Sequence, residues 1–373
     1  MAGHSLKKRK WLITGAAGFI GTHLARHLEQ AGDSCILTDN FYRGMACPNV
    51  HFLDVRRPSD VEAFFESNGD IDAVAHLAGQ VSLVASITNP RYDFETNAGG
   101  TFNVLEAMRR HTPRARLIFA STNKVYGDLG ALAHEEHLTR YSIPDYPHGL
   151  TEKLPLELHG GYSCSKGAAD QYVRDYHKVY GLKTVCLRQS SIYGGGQRAT
   201  GDQGWLAWFV RMGVQASSFG ISGTGKQVRD LLHVSDLCAC FKRIADLPES
   251  SPVWGEAFNI GGGPVASLSI LELFEILRRD FGLTLDYTAG PPRVGDQKVF
   301  IADTARARDC VGWEPRVHLA EGLEEIVTWS QARWPSAGKT ALRARSVECD
   351  SGHSGPFTDE SGKRRYPLLQ RRG

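Results

Sequence analysis

Short apolar runs and longer amphipathic stretches alternate along the first half of the chain. KWLITG (residues 10–15) predicts a strand, and GFIGTHLARHLEQAG (18–32) has apolar positions at helical spacing and predicts a helix ended by Gly32. SCILTD, HFLDV, DAVAHLAG and ARLIFAST are the next strand candidates, with FETNAGGTFNVLEAMRRH (94–111) a long helix between the last two. A helix from Tyr162 to about Tyr180 and the strand KTVCLRQSS continue the rhythm. Alternation of this kind predicts an α/β fold, a doubly wound parallel sheet with right-handed crossovers.

Beyond about residue 195 the pattern loosens. Gly-rich and aromatic segments (YGGGQRATGDQGWLAWF, FGISGTGKQVRDLLHVSD) are interleaved with helices near 234–246, 267–281 and 319–334. We expect a dinucleotide-binding domain over 1–195, a smaller substrate-binding lobe over 196–334, and a disordered tail over 335–373, where the chain is polar and aperiodic.

Composition narrows the class. Of 373 residues, 42% are hydrophobic and 23% charged, ordinary for a soluble globular protein, and a net charge of +2 points to neither nucleic acid nor an anionic membrane. No run reaches the ~18 apolar residues of a membrane span. The basic Lys7–Lys10 run could mimic a nuclear signal but reads as a solvated lead into the first strand. Eight cysteines (Cys35, Cys47, Cys164, Cys186, Cys238, Cys240, Cys310 and Cys349) lack any Cys-x-x-Cys and read as reduced residues of a cytoplasmic protein, with no metal site.

Two patterns carry chemistry. TGAAGFIG places Gly15, Gly18 and Gly21 between a strand and a helix, allowing a tight turn and close approach of backbone to a pyrophosphate at the helix N-terminus. A tight strand-to-helix turn selects glycine too, so the triplet gains weight from Asp39, 18 residues after Gly21 at the end of the next strand, where a carboxylate binds ribose hydroxyls and repels a 2′-phosphate. Asp54 ends the third strand on the same edge; Arg43 nearby weakens the preference for NAD over NADP.

The second pattern is Tyr162 and Lys166, about one helical turn apart. Alone they read better as a phenol packed on a lysine stem, since this spacing occurs often by chance. With a dinucleotide present, the ammonium and a positive nicotinamide ring would lower the phenol's pKa from near 10 and make it a base. Ser121 and Thr122 end the preceding strand, where a hydroxyl reaches the same reacting oxygen. Trp205 and Trp208, three apart on a predicted helix, read as core, with a base or sugar contact as the alternative.

TGAAGFIG, Asp39, HLAGQ, Asn97, STNKVYGD, Tyr162-x-x-x-Lys166 and RQSSIYG together resemble the extended short-chain dehydrogenase/reductase family that acts on nucleotide-sugars, over about 10–334. The resemblance implies Thr122, Tyr162 and Lys166 as catalytic residues. It implies a dinucleotide site, for NAD, formed by Gly15, Gly18, Phe19, Ile20, Gly21, Asp39, Asn40, Asp54, Val55, Leu77, Ala78, Gly79, Asn97 and Ser121 together with Tyr162 and Lys166. Asn123, Gln203, Arg229 and Arg293 would meet the nucleotide-sugar, the two arginines gripping its diphosphate unless they form surface ion pairs with Asp230 or Asp296. A homo-oligomer is implied as well.

STNKVYGDL, YSCSKGAADQY, ATGDQGW and ISGTGKQVRDLLH look like the branch that epimerises C2 of a CDP-activated sugar by transient oxidation. Three segments depart from it: Gly160-Gly161 for Ser-Pro, Gln189 for His, and Gly201 for an aromatic residue. Asn123 and Lys124 follow Thr122 where a 4,6-dehydratase carries an acid and a base, which argues against dehydration. A UDP-sugar 4-epimerase is the competing reading. A net reductase is opposed by Asp39, and a silent NAD-binding regulator by the intact Thr122/Tyr162/Lys166 set.

Overall fold

The computed structural model describes residues 8–43, 47–293 and 295–334, all within the unit Met1–Ser336; the expected tail, with Cys349, lies outside the described residues, as does Lys7. Seven strands form one parallel sheet: β1 (Lys10–Thr14), β2 (Ser34–Asp39), β3 (Val50–Phe52), β4 (Ala73–His76), β5 (Arg116–Thr122), β6 (Lys183–Gln189) and β7 (Glu256–Ile260). Their spatial order is β7-β6-β5-β4-β1-β2-β3. The direction of winding reverses between β1 and β4, and doubly wound sheets bind ligands in the crevice outside such a reversal.

Helices cover both faces because these strands are apolar on both sides. On one face α1 (Phe19–Gln30) and Val234–Ala245 bury Leu24, Leu28, Leu237, Phe241 and Ile244 against Ile13, Ala75 and Val185. On the other, α2 (Pro58–Ser67), α3 (Gly100–His111) and α4 (Gly160–Tyr180) bury Phe65, Val104, Met108 and Val173 against Leu12, Val74 and Leu117.

Three differences from the expected elements matter. Helix Val234–Ala245 and strand β7 belong to this layered unit although they follow residue 195, so the chain returns to the sheet beyond the expected boundary. The helix expected over 94–111 is interrupted: Glu95–Gly99 is a π-helical turn between Pro90–Phe94 and α3. Such wide turns re-aim side chains and recur at functional sites; here the turn carries Asn97. Finally, the helix expected from 267 begins at Ile270, where Ser269 and Glu272 form a capping box, and Ser267–Ser269 is instead a strand beside Val228–His233.

The segment after β6 adds small sheets: Val228–His233 pairs with Ser191–Tyr193, Ser267–Ser269 and Val299–Phe300, and Phe219–Ser222 with Tyr287–Gly290. Trp205 and Trp208 pack against the apolar cluster of this part, and Trp205 also donates its indole N–H to Ser191 Oγ. No helix among the described residues is long and apolar enough to cross a membrane.

Candidate active site

The turn after β1 is built so tightly that side chains are excluded. Gly15 has φ +73°, and a Cβ there would lie 2.8 Å from Ala78 N; a Cβ on Gly21 would lie 2.5 Å from Gly15 O. The turn therefore packs on itself and on Leu77–Ala78 at the end of β4. No side chain caps α1 at Gly18, so the N–H groups of Phe19, Ile20 and Gly21 and the positive end of the helix are left to an anion.

Asp39, ending β2, accepts from Ala17 N (3.1 Å) and Phe41 N (2.8 Å), which fixes its carboxylate beside the same turn and Asn40. Arg43 donates to the Gln203 side-chain oxygen. Asp54 is gripped by Arg56 through Nε (2.9 Å) and Nη2 (2.5 Å); burial raises its pKa, but this pairing outweighs burial and holds it below the ordinary carboxylate value. The Arg56 guanidinium also lies 4.7 Å over the Tyr92 ring, and Tyr92 stacks on Tyr42 at 4.5 Å. Arg56 and Tyr92 escaped the sequence reading because neither belongs to a recognisable spacing. Val55 packs against Gly100 at the start of α3.

Beyond β4, Gly79 lies against the Asn97 amide and near Lys166 Nζ. Asn97 is fully engaged: Oδ1 accepts from Gln80 N (2.9 Å), and Nδ2 donates to Gln80 O (3.0 Å) and Ser165 Oγ (3.0 Å). Ser165 in turn donates to the buried Asp93 carboxylate at 2.5 Å. This network ties the loop after β4 to α4, and so sets that helix against the segment on which the glycine turn packs.

Thr122, Tyr162 and Lys166 come together at the carboxyl end of β5. Tyr162 is 8% and Lys166 4% exposed. The Thr122 hydroxyl hydrogen-bonds the Tyr162 phenol, which favours phenolate, yet burial dominates and, with the Asp93 charge, pushes the phenol up to about 12. Lys166 donates to Ala120 O at 2.5 Å and sits 4.1 Å over the Phe119 ring; burial brings its pKa down to about 8. Lys166 directs one of its three ammonium protons to this backbone carbonyl, and the protein's own groups leave the phenol above its ordinary value.

Adjacent strand residues face opposite sides of a sheet: Ser121, like Leu117 and Phe119, faces the layer of α4 and donates to Asp170 Oδ2 at 2.7 Å, while Thr122 meets the phenol at the carboxyl end of the strand. Asp170 there meets Arg188 Nε (3.1 Å) and Nη2 (2.8 Å), and Arg188 donates to the Tyr126 hydroxyl. Ser121 thus belongs to a buried support beneath the site.

Asn123 is buried beside Thr122, its carbonyl accepting from Gln297 Nε2. Arg229 pairs with Asp296 at 2.7 Å rather than with Asp230, which is buried and accepts from Ser190 Oγ, Gly263 N and Ala302 N. Arg293 donates to Gly201 O and Ser222 Oγ. Gln189 is the register partner of Thr122, and its buried side-chain nitrogen has no hydrogen-bond partner. Asp202, next to Gln203, accepts from Ser82 Oγ at 2.7 Å, joining the 200–204 loop to the loop after β4. Gly160 has φ +79°, and no atom lies within 4 Å of where its Cβ would stand, so the chain enters the catalytic helix through open space.

Residues 11–261 match the model of the NAD dependent epimerase/dehydratase family. The CDP-paratose 2-epimerase of Salmonella typhi is 42% identical over 339 residues, covering 87% of this chain and 99% of that protein. Among solved structures, the UDP-glucose 4-epimerase of Thermotoga maritima with UDP-glucose matches at TM-score 0.75 and 28% identity, over 87% of this chain and 99% of that one. The UDP-glucose 4-epimerase of Thermus thermophilus in complex with NAD matches at TM-score 0.72 and 27% identity, over 86% and 99%. A glycine turn at the sheet reversal, a carboxylate closing β2 and a phenol–lysine helix against β5 agree with these matches: the chain belongs to the NAD dependent epimerase/dehydratase family.

Proposed function

We propose that this chain is an NAD-dependent isomerase that inverts C2 of CDP-paratose, giving CDP-tyvelose. The observation that carries the reading is the 42% identity to a CDP-paratose 2-epimerase across nearly the whole of that protein, in a chain that clusters Thr122, Tyr162 and Lys166. The residues present fit a dinucleotide: the Gly15–Gly21 turn would take the pyrophosphate, Asp39 the ribose hydroxyls, and Asp54, Val55 and Asn40 the adenine end. Oxidised NAD supplies a hydride acceptor, later a donor, and a positive ring charge that favours phenolate. Thr122 and Tyr162 orient the sugar hydroxyl, and Tyr162 Oη takes its proton as the carbon becomes a ketone. The same phenol returns the proton when the opposite face is reduced, so no net oxidation results.

Incubating the protein with CDP-paratose and following C2 by NMR tests this; no inversion of a CDP-sugar by NAD-loaded protein would sink it. The second reading, a UDP-sugar 4-epimerase, draws on the fold shared with the two UDP-glucose 4-epimerases. Turnover of UDP-glucose with CDP-paratose untouched would favour it.

Asp39 sets cofactor choice in this proposal. Asp39→Ala is expected to weaken NAD binding by roughly tenfold, the scale of one charge-assisted bond, and to narrow the gap to NADP. Fluorescence titration with both dinucleotides measures this; an unchanged NAD/NADP ratio would remove Asp39 from the site.

We also propose that the chain self-associates through the outer faces of α3 and α4, where Phe102 (39% exposed) meets Tyr172 (45% exposed) at 5.4 Å and Phe94, Val179 and Tyr180 are exposed nearby. Phe102→Lys with Tyr172→Lys should convert an oligomer to a monomer in sedimentation; an unaltered mass would place the interface elsewhere. A reducing, cytoplasmic location completes the proposal, in line with the free thiols of the seven described cysteines; cell fractionation checks it.

A further inference from the structure

Lys124 carries a charge that the chemistry above does not use. It stands two residues past Thr122 on the short 3-10 turn Asn123–Tyr126, at the carboxyl end of β5. Its side chain is only 14% exposed, and the amine reaches Asp296 Oδ1 at 3.3 Å. The same oxygen takes Arg229 Nη2 at the shorter distance of 2.7 Å. An ammonium has three protons to donate, so Lys124 holds the weaker share of one carboxylate oxygen. The charged groups that act on it are Arg229, Asp296 and Arg293; burial first, and then the two guanidinium groups, bring its pKa down to about 8 against the pull of Asp296.

An ammonium held this way is undersupplied with negative charge. It lies beside Arg229 and Arg293, which the family resemblance implies for the diphosphate, on the side next to Thr122. A diphosphate offers full charges and several acceptor oxygens where Asp296 offers a single shared oxygen, and a largely buried cation gains most from such an exchange.

We propose that Lys124 is a third diphosphate-binding cation of this site, and that the Asp296 carboxylate is its stand-in partner, displaced when a nucleotide-sugar binds. The proposal rests on the nucleotide-sugar reading and adds to it both a residue and a competition. Because Lys124 stands only two residues past Thr122, it serves the phosphate nearer the sugar, so a nucleoside diphosphate feels its loss and a monophosphate does not.

The test is calorimetric titration of the NAD-loaded full chain with CDP, UDP and CMP. Lys124→Met is expected to weaken CDP binding roughly tenfold and CMP binding less than twofold, with Lys124→Arg restoring most of the CDP affinity. Asp296→Asn should act in the opposite sense and tighten CDP binding severalfold, which loss of a merely structural ion pair would not do. Unchanged CDP affinity in Lys124→Met, equal losses for CDP and CMP, or weaker CDP binding in Asp296→Asn would each overturn the proposal. NAD content and melting temperature show whether each variant is folded. Failure of the unaltered protein to bind either CDP or UDP would overturn the nucleotide-sugar reading itself, a result distinct from any variant's.

Discussion

Tyr162→Phe is expected to lower turnover by roughly 10²–10⁴-fold, the usual contribution of a positioned acid–base group, while the protein keeps its dinucleotide. Phenylalanine preserves the ring that α4 buries at this position, so packing changes little; what disappears is the oxygen that Thr122 contacts. The remaining groups cannot substitute for it. Lys166 is bonded to the Ala120 carbonyl and Ser121 faces Asp170. Steady-state rates, with NAD released by denaturation and quantified, decide the matter. Loss of cofactor or a lowered melting temperature in this variant would show that the phenol is structural.

Arg188→Met should cost about 3–5 kcal/mol of folding stability, the range found when one partner of a buried ion pair is removed. Arg188 and Asp170 are 3% and 0% exposed, and the change would leave the buried Asp170 carboxylate with hydrogen bonds from Ser121 and Gln171 but without its paired guanidinium. Asp170 lies one turn after Lys166 on α4, so displacement here also shifts the catalytic helix. Adding Asp170→Leu should recover part of the loss, because two apolar side chains can replace a buried pair at little net cost. Urea unfolding of both single variants and the double variant measures this. A double variant no more stable than the sum of the single losses would mean the pair is not coupled.

The family was legible because its signals are local. Gly15, Gly18 and Gly21 act within one turn, and Tyr162 and Lys166 within one helical turn, so spacing along the chain equals spacing in space. Parallel strands announce themselves as apolar runs between helical patterns, which is why β1, β2, β4, β5 and β6 could be read directly. Strand β7 could not: its five residues lie among Gly-rich loops, and membership of the sheet depends on a return to β6 that no short-range pattern encodes.

Side-chain direction was the second thing hidden. Ser121 and Thr122 are equivalent as a string, and only the way α4 packs on β5 decides that Ser121 meets Asp170 and Thr122 meets the phenol. The π turn at Glu95–Gly99 likewise depends on tertiary contacts, since it lets Asn97 reach Gln80 and Ser165 at once. Charge partners were the third. Arg229 finds Asp296 rather than its neighbour Asp230, and Lys124 reaches the same carboxylate from 172 residues away.

The sequence by itself therefore determined the layered α/β architecture, the glycine turn and the phenol–lysine pair, because each arises from residues within a turn or two of one another. The tertiary structure decided which hydroxyl meets the phenol, which carbonyl Lys166 meets, and which cations share Asp296. Those outcomes depend on burial and on contacts between distant segments, and burial is what raises Tyr162 and lowers Lys166 and Lys124.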